Sequence, residues 1–153
     1  MNAFFTMINR LRRFRFFKLT YWGVRIGLAL AFILSGIRKL PGVKFTILPK
    51  EDPVGAFFHV MHESGFYWNF IGYFQIGIGL LLFVNRYLPL LYLLMMPVTV
   101  NIFLVSVSLN MRGTPIITSL MLLGNIFLML WHYEHYLQVL NRPDPQRLRL
   151  NRE

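Results

Sequence analysis

The sequence predicts an all-α integral membrane protein: a four-transmembrane-helix bundle with a basic N-terminal interfacial helix. Apolar residues make up 56% of the 153 positions and charged residues only 14%, whereas a soluble domain carries roughly a quarter. The charges lie at the chain ends and between long apolar runs. Residues 64–85, 87–111 and 113–133 hold none, and each run reaches the length of about 20 residues that crosses a hydrocarbon core. A fourth run, residues 20–40, is interrupted by Arg25 near its start and by Arg38 and Lys39 at its end. The long stems of these cations let their charges snorkel to the interfaces.

The expected organisation is a basic cytoplasmic arm at 1–19, a membrane domain at 20–140 and a basic tail at 141–153. The spans fall at about 20–40, 64–85, 88–111 and 113–136. A secretory signal peptide competes for the first span, but no small-x-small cleavage site follows it, which favours an uncleaved anchor. The apolar fraction excludes disorder. With no cysteine in the chain, disulfide scaffolds, cysteine nucleophiles and iron–sulfur ligation are excluded.

Four spans place both termini and the turn at 85–87 on one side. Ten of the 16 Lys and Arg residues lie there and five on the other side, with Arg25 inside a span. This asymmetry puts both termini in the cytoplasm of a bacterial inner membrane. The net charge of +10 is therefore a topology signal, directed at the bilayer and its anionic headgroups. No nucleic-acid recognition motif accompanies the Arg-rich ends, so nucleic acid is not an expected partner.

Outside the spans, residues 4–18 mix Phe, Ile and Leu with Arg, as in a topogenic arm on anionic lipid or a specific docking arm. Residues 41–53 form a turn-rich connector with Pro41, Gly42, Pro49 and Pro53. It leads into residues 54–63, a short helix presenting Phe57, Phe58 and Met61, expected to lie on the outer membrane surface.

Each span carries one stripe of small and hydrogen-bonding residues: Arg25, Ala29, Phe32, Gly36 and Lys39; Asn69, Gly72, Gln75 and Gly79; Pro97, Asn101 and Ser108; Thr118, Asn125, His132 and Tyr136. A polar group in lipid needs a partner, so these stripes should face a common axis and bury Gln75, Asn101 and Asn125. Two readings stand: helix–helix glue, or a shallow cavity for a small amphipathic ligand. Arg25 is either an interfacial anchor or a holder of a ligand anion or quinone carbonyl, since no acidic residue lies within the other spans. The candidate ligand-binding residues are Arg25, Gln75, Asn101, Asn125 and His132.

His59, His62 and Glu63 give a helical His-x-x-His without a third strong ligand at metal spacing, so no metal site is expected. His132 and His135 share one helix end and cannot bracket a haem with the other two histidines. The sequence offers no Ser-His-Asp set, phosphate-cradling loop or membrane-embedded carboxylate. No catalytic residue is expected, and the last absence weakens a proton-coupled transporter.

These residues together resemble the DoxX-like family of small four-helix membrane proteins. The stretch from Arg25 through small and apolar residues to Gly36-x-x-Lys39 is similar to that family's opening helix. Ser64-Gly65, Gly72-Tyr-Phe-Gln75, Gly79 and Asn85-Arg86 are similar to its second helix and turn, Pro97 to Asn101 to its third, and Asn125 to its fourth. The resemblance runs over about residues 22–140. It implies the fold, and an association with oxidation of sulfur compounds and quinone reduction. Many relatives have Glu where this chain has Gln75, which removes an ionisable group. A more distant resemblance to four-helix thiol-redox proteins lacks their cysteine pair.

Two functions follow. One is a non-catalytic integral subunit or assembly factor of a quinone-linked membrane oxidoreductase complex, with other membrane subunits as partners. It needs no cofactor of its own, and a quinone or lipid is the ligand class. The alternative is an independent small-molecule or lipid carrier that uses the polar bundle axis. Because the chain has no cysteine, single cysteines introduced at Asn2 and Asn151 test the topology without background. Labelling should require membrane permeabilisation at both positions, and labelling of either in intact cells contradicts the orientation.

Overall fold

In a computed structural model of the chain, residues 8, 10 and 12–140 are described. The tail at 141–153 and most of the arm before Arg12 lie outside them. Among the described residues there are six helices and no strand: α1 Arg15–Ile37, α2 Pro53–Glu63, α3 Phe66–Leu81, α4 Leu88–Ser108, α5 Thr114–Trp131 and α6 Tyr133–Leu140.

Each boundary has a local cause. α1 starts at Arg15 rather than residue 20 because no proline or glycine separates the basic arm from the apolar run. Hydropathy changes there while the backbone continues. The helix ends before Pro41, whose ring disfavours helical geometry in the preceding residue. At the start of α2 the Asp52 carboxylate accepts from the Val54 N–H at 2.8 Å and the Gly55 N–H at 3.2 Å, and Pro53 occupies the first turn. Gly113, at φ 74°, precedes α5 in a left-handed conformation that only glycine adopts freely. His132 leaves helical geometry at φ −111° and ψ 21°, so the span expected at 113–136 is two helices.

Three helices, α1, α4 and α5, are long and apolar enough to cross a membrane. The span expected at 64–85 is helical only over the 16 residues of α3, a rise of roughly 24 Å against about 30 Å of hydrocarbon. The chain leaves the helix after Leu81 and turns through Tyr87, which is left-handed at φ 58°.

The helices pack as two antiparallel pairs, α1 with α3 and α4 with α5, joined where α5 meets α1. The first pair closes along a glycine seam, where Ile33 and Ile76 pack over Gly79 and Gly36. A Cβ on Gly36 would lie 2.6 Å from the Gly72 carbonyl oxygen, and one on Gly79 would lie 2.9 Å from the Ala29 oxygen. Backbone therefore meets backbone, the close approach that small residues permit in membranes. The second pair is pinned by the Ser106 and Thr118 hydroxyls at 2.8 Å. Between the pairs, Ala29, Phe32, Tyr92, Met95 and Leu128 are fully buried, while Leu30, Leu34, Ile116, Ile117, Leu120 and Leu123 point outward. An apolar exterior around a packed interior is what a lipid solvent requires.

The seam gives a paired test. Gly72→Ala brings a Cβ to 2.9 Å from both the Gly36 oxygen and the Lys39 Cβ, whereas a Cβ at Gly77 has nothing within 4 Å. Thermal unfolding in mild detergent should show Gly72→Ala destabilised by about 1–3 kcal/mol from overpacking. Gly77→Ala should be neutral or stabilised by up to about 1 kcal/mol through helix propensity.

Candidate functional site

The polar side chains inside the bundle fall into groups along its length. At one end Arg25, only 2% exposed, reaches across the seam to the C-terminus of α3. Its Nε–H donates to the Leu82 carbonyl at 2.6 Å, Nη1 to Asn85 Oδ1 at 2.7 Å and Nη2 to the Val84 carbonyl at 3.2 Å. The guanidinium also lies over the Trp22 ring at 4.7 Å. The last carbonyls of a helix have no intrahelical donors and carry the negative end of its dipole, so a buried cation is stable there. Neither an anchor in lipid phosphate nor an open donor describes Arg25: all three of its nitrogens donate to α3 and its exit turn.

Next to Arg25, the Tyr21 hydroxyl meets the Tyr92 hydroxyl at 2.9 Å and His132 Nε2 at 3.1 Å. The Tyr21 ring stacks on Trp131 at 5.2 Å between centroids. Glu134, which helical phasing directs away from Arg25, pairs with Arg12 at 2.9 Å, and Arg12 also donates to the Trp131 carbonyl. This end of the bundle is cross-braced from α1 to α4 and the end of α5, and from Arg12 to α6.

In the middle, Asn125 is fully buried beside Pro97, which deprives α4 of a backbone N–H and crowds the carbonyl one turn before it. In the amide orientation that satisfies both its ends, Asn125 Nδ2 donates to the Tyr92 carbonyl at 3.1 Å. Its Oδ1 accepts from the Met96 N–H at 3.1 Å and contacts the Thr99 hydroxyl at 3.1 Å. One side chain on α5 thus engages backbone of both polarities at the proline in α4.

The other end differs. A cavity of about 310 Å³ opens between the end of α1, α2, the start of α3 and the last turns of α4, walled by Phe45, Phe57, Phe58, Met61, Trp68 and Ile102 among others. The inner face of α2 covers it, so this helix packs on the bundle as well as presenting an outer face; Phe58 is 8% exposed, with its ring 4.2 Å from Phe45. Lys39 reaches the cavity wall and is 5% exposed. Its Nζ donates to the Ser35 carbonyl at 3.0 Å and the Ser35 hydroxyl at 2.7 Å, and lies over the rings of Phe45 at 5.0 Å and Trp68 at 5.2 Å. The Ser35 hydroxyl is 3.4 Å from Gln75 Oε1. Two donors here, Gln75 Nε2 and Trp68 Nε1, are buried without an acceptor. On the outer rim the Lys50 ammonium, 2.8 Å from Glu63, holds that carboxyl below its ordinary range.

The five residues singled out by sequence therefore do not converge on one point. Arg25 and His132 belong to the braced end and Asn125 to the proline in α4. Gln75 is buried behind Ser35, as expected of an axial amide. Asn101, expected to be buried with it, is exposed on the cavity wall. Its α4 stripe of Pro97, Asn101 and Ser108 is exposed throughout, because the buried face of α4 runs instead through Tyr92, Met95, Thr99 and Ser106. Sequence reasoning missed Ser35, Trp68 and the aromatic lid, and it placed Lys39 on the polar face without a role. The signal was there: Lys39 ends the same stripe that Arg25 begins. Asn125→Leu should cost about 1–3 kcal/mol in detergent unfolding by leaving backbone groups unpaired, while Asn101→Leu on the cavity wall should leave stability unchanged.

Among known proteins, the family model for DoxX matches residues 22–107, from within α1 to near the end of α4. No curated protein and no solved structure matches the chain. The matched residues include Arg25 and its acceptors, the glycine seam, and the Lys39, Trp68 and Gln75 cluster, while Asn125 lies beyond them. With more than half of its length matched by that model, and with three helices fit to span a bilayer, the chain belongs to the DoxX family of membrane proteins.

Proposed function

We propose that this protein is a non-catalytic integral subunit or assembly factor of a quinone-linked oxidoreductase complex in the bacterial inner membrane, contributing a pocket for an amphipathic molecule. The observation that carries this reading is the cavity of about 310 Å³ with its aromatic walls and buried Lys39. Its volume lies at the lower end of small-molecule sites, which are likewise mostly apolar with a few placed polar groups. Trp68, which lines the cavity and whose Nε1 has no acceptor, favours an occupant whose head bears oxygen acceptors, as quinones and lipids do. In this reading α3 is the fourth crossing. Its antiparallel seam with α1 runs from Gly36 to the Arg25 contacts at Leu82–Asn85 and so covers most of the depth that α1 spans. With four crossings, the cation asymmetry supports termini in the cytoplasm and a cavity at the opposite face.

The alternative of a carrier working through the bundle axis has less support. Arg25, Asn125, Thr99, Ser106 and Thr118 are hydrogen-bonded to neighbouring groups, which leaves no line of available polar groups along the axis.

Purification in mild detergent, with mass spectrometry of co-purifying proteins and extracted small molecules, tests the reading. Subunits of one membrane oxidoreductase and a near-stoichiometric quinone or lipid should accompany the native protein. Ile102→Trp, which fills the cavity from α4, should keep the proteins and lose the small molecule. Equal retention by the variant, or none by the native protein, contradicts the pocket. Absence of oxidoreductase subunits contradicts the complex.

A further inference from the structure

We infer that the cavity at the end of α1 is a site for an acidic amphiphile, a single apolar chain with an anionic head, and that Lys39 is the residue that selects the charge. The inference rests on the cavity being a ligand pocket and names the class of its occupant. An ammonium group has three donors. In Lys39 two of them meet Ser35, one at its carbonyl and one at its hydroxyl, both neutral acceptors, while the faces of Phe45 and Trp68 flank the charge.

Among the described residues, no acidic side chain lines the cavity. Of the carboxylates nearest in sequence, Glu51 is exposed and outside the cavity lining, Asp52 caps the first turn of α2 and Glu63 pairs with Lys50. A buried cation without a counter-charge is expensive, and an entering anion removes that cost where a neutral head does not. Trp68 lines the same cavity, and its buried Nε1 has no acceptor, which makes it a second donor for an oxyanion seated against the ring. The apolar walls suit a hydrocarbon chain. Positive charge on one side and an aromatic lid over the remainder make the site complementary to a molecule with a charged oxygen head and an apolar body. The anionic head could come from a free carboxylic acid or from a bilayer lipid phosphate, and the chemistry at Lys39 is shared.

The test is calorimetric titration of the full chain in phosphatidylcholine nanodiscs with dodecanoate, dodecanol and decylubiquinone. The native protein should bind dodecanoate at least about tenfold more tightly than either neutral probe, the margin of a charge-assisted over a neutral hydrogen bond. Lys39→Met should abolish that preference. Trp68→Phe, which keeps the ring and removes the donor, should weaken dodecanoate selectively and guards against misfolding of the lysine variant. Nanodiscs containing phosphatidylglycerol separate the sources. Weakened dodecanoate binding there identifies the lipid phosphate as occupant, and unchanged binding identifies the free acid; either result supports an anion site. Equal binding of dodecanoate and the neutral probes to the native protein overturns the inference while leaving the pocket intact. Binding of none of the three overturns the pocket as well.

Discussion

The arrangement depends on the contact between the Arg25 guanidinium and the end of α3. Each side of that contact would be unfavourable alone. Arg25 is a cation inside an apolar helix, and α3 ends in carbonyls that lack helical donors within a membrane. Joined, the Nε–H and both Nη groups meet the Leu82 and Val84 carbonyls and the Asn85 side chain, and the charge faces the negative end of the helix dipole. The contact also fixes register. With Arg25 held at residues 82–85, antiparallel pairing brings Ala29 to Gly79, Gly36 to Gly72, and Lys39 beside Trp68. A slip of one turn would bring side chains in place of glycine at points where the seam leaves no room for a Cβ.

That register divides the polar groups of the bundle. At the Arg25 end and at its centre, donors and acceptors meet each other: Tyr21 with Tyr92 and His132, Asn125 with the backbone around Pro97, Ser106 with Thr118. At the Lys39 end the seam opens, the lid helix closes over it, and donors remain without acceptors. The satisfied polar groups and the open cavity are thereby separated in space, with Arg25 and Asn125 on the one side and Lys39 and Trp68 on the other.

Much of this was legible in the sequence. Uncharged runs marked the helices that can span a bilayer, the turn-rich connector ending at Pro53 marked the approach to α2, and the stripe from Arg25 to Lys39 marked the face of α1 that is buried. The misplaced features share a physical origin. Hydropathy gave the apolar extent of α3 correctly but not its helical extent, because the exit turn at residues 82–87 is set by a side chain from α1. The stripe of Pro97, Asn101 and Ser108 grouped Asn101 with Gln75 and Asn125, but the face of α4 that packs is the one through Tyr92, Met95, Thr99 and Ser106. Periodicity does not say which face packs or where a lid helix leaves a cavity. Arg25 was recognised as exceptional because a cation in a span needs a partner. That its partners are backbone carbonyls of another helix is a tertiary fact, invisible to a count of acidic residues.

The central claim, that Arg25 is engaged with the α3 terminus rather than with lipid, is tested most directly by a double-mutant cycle between Arg25 and Asn85. Unfolding free energies of Arg25→Met, Asn85→Ala and the double variant, measured against the native chain in the same detergent, yield the interaction energy of the pair. A coupling of about 1 kcal/mol or more, within the range for groups in one hydrogen-bond network, is the predicted result. Strict additivity of the two substitutions would contradict the clamp.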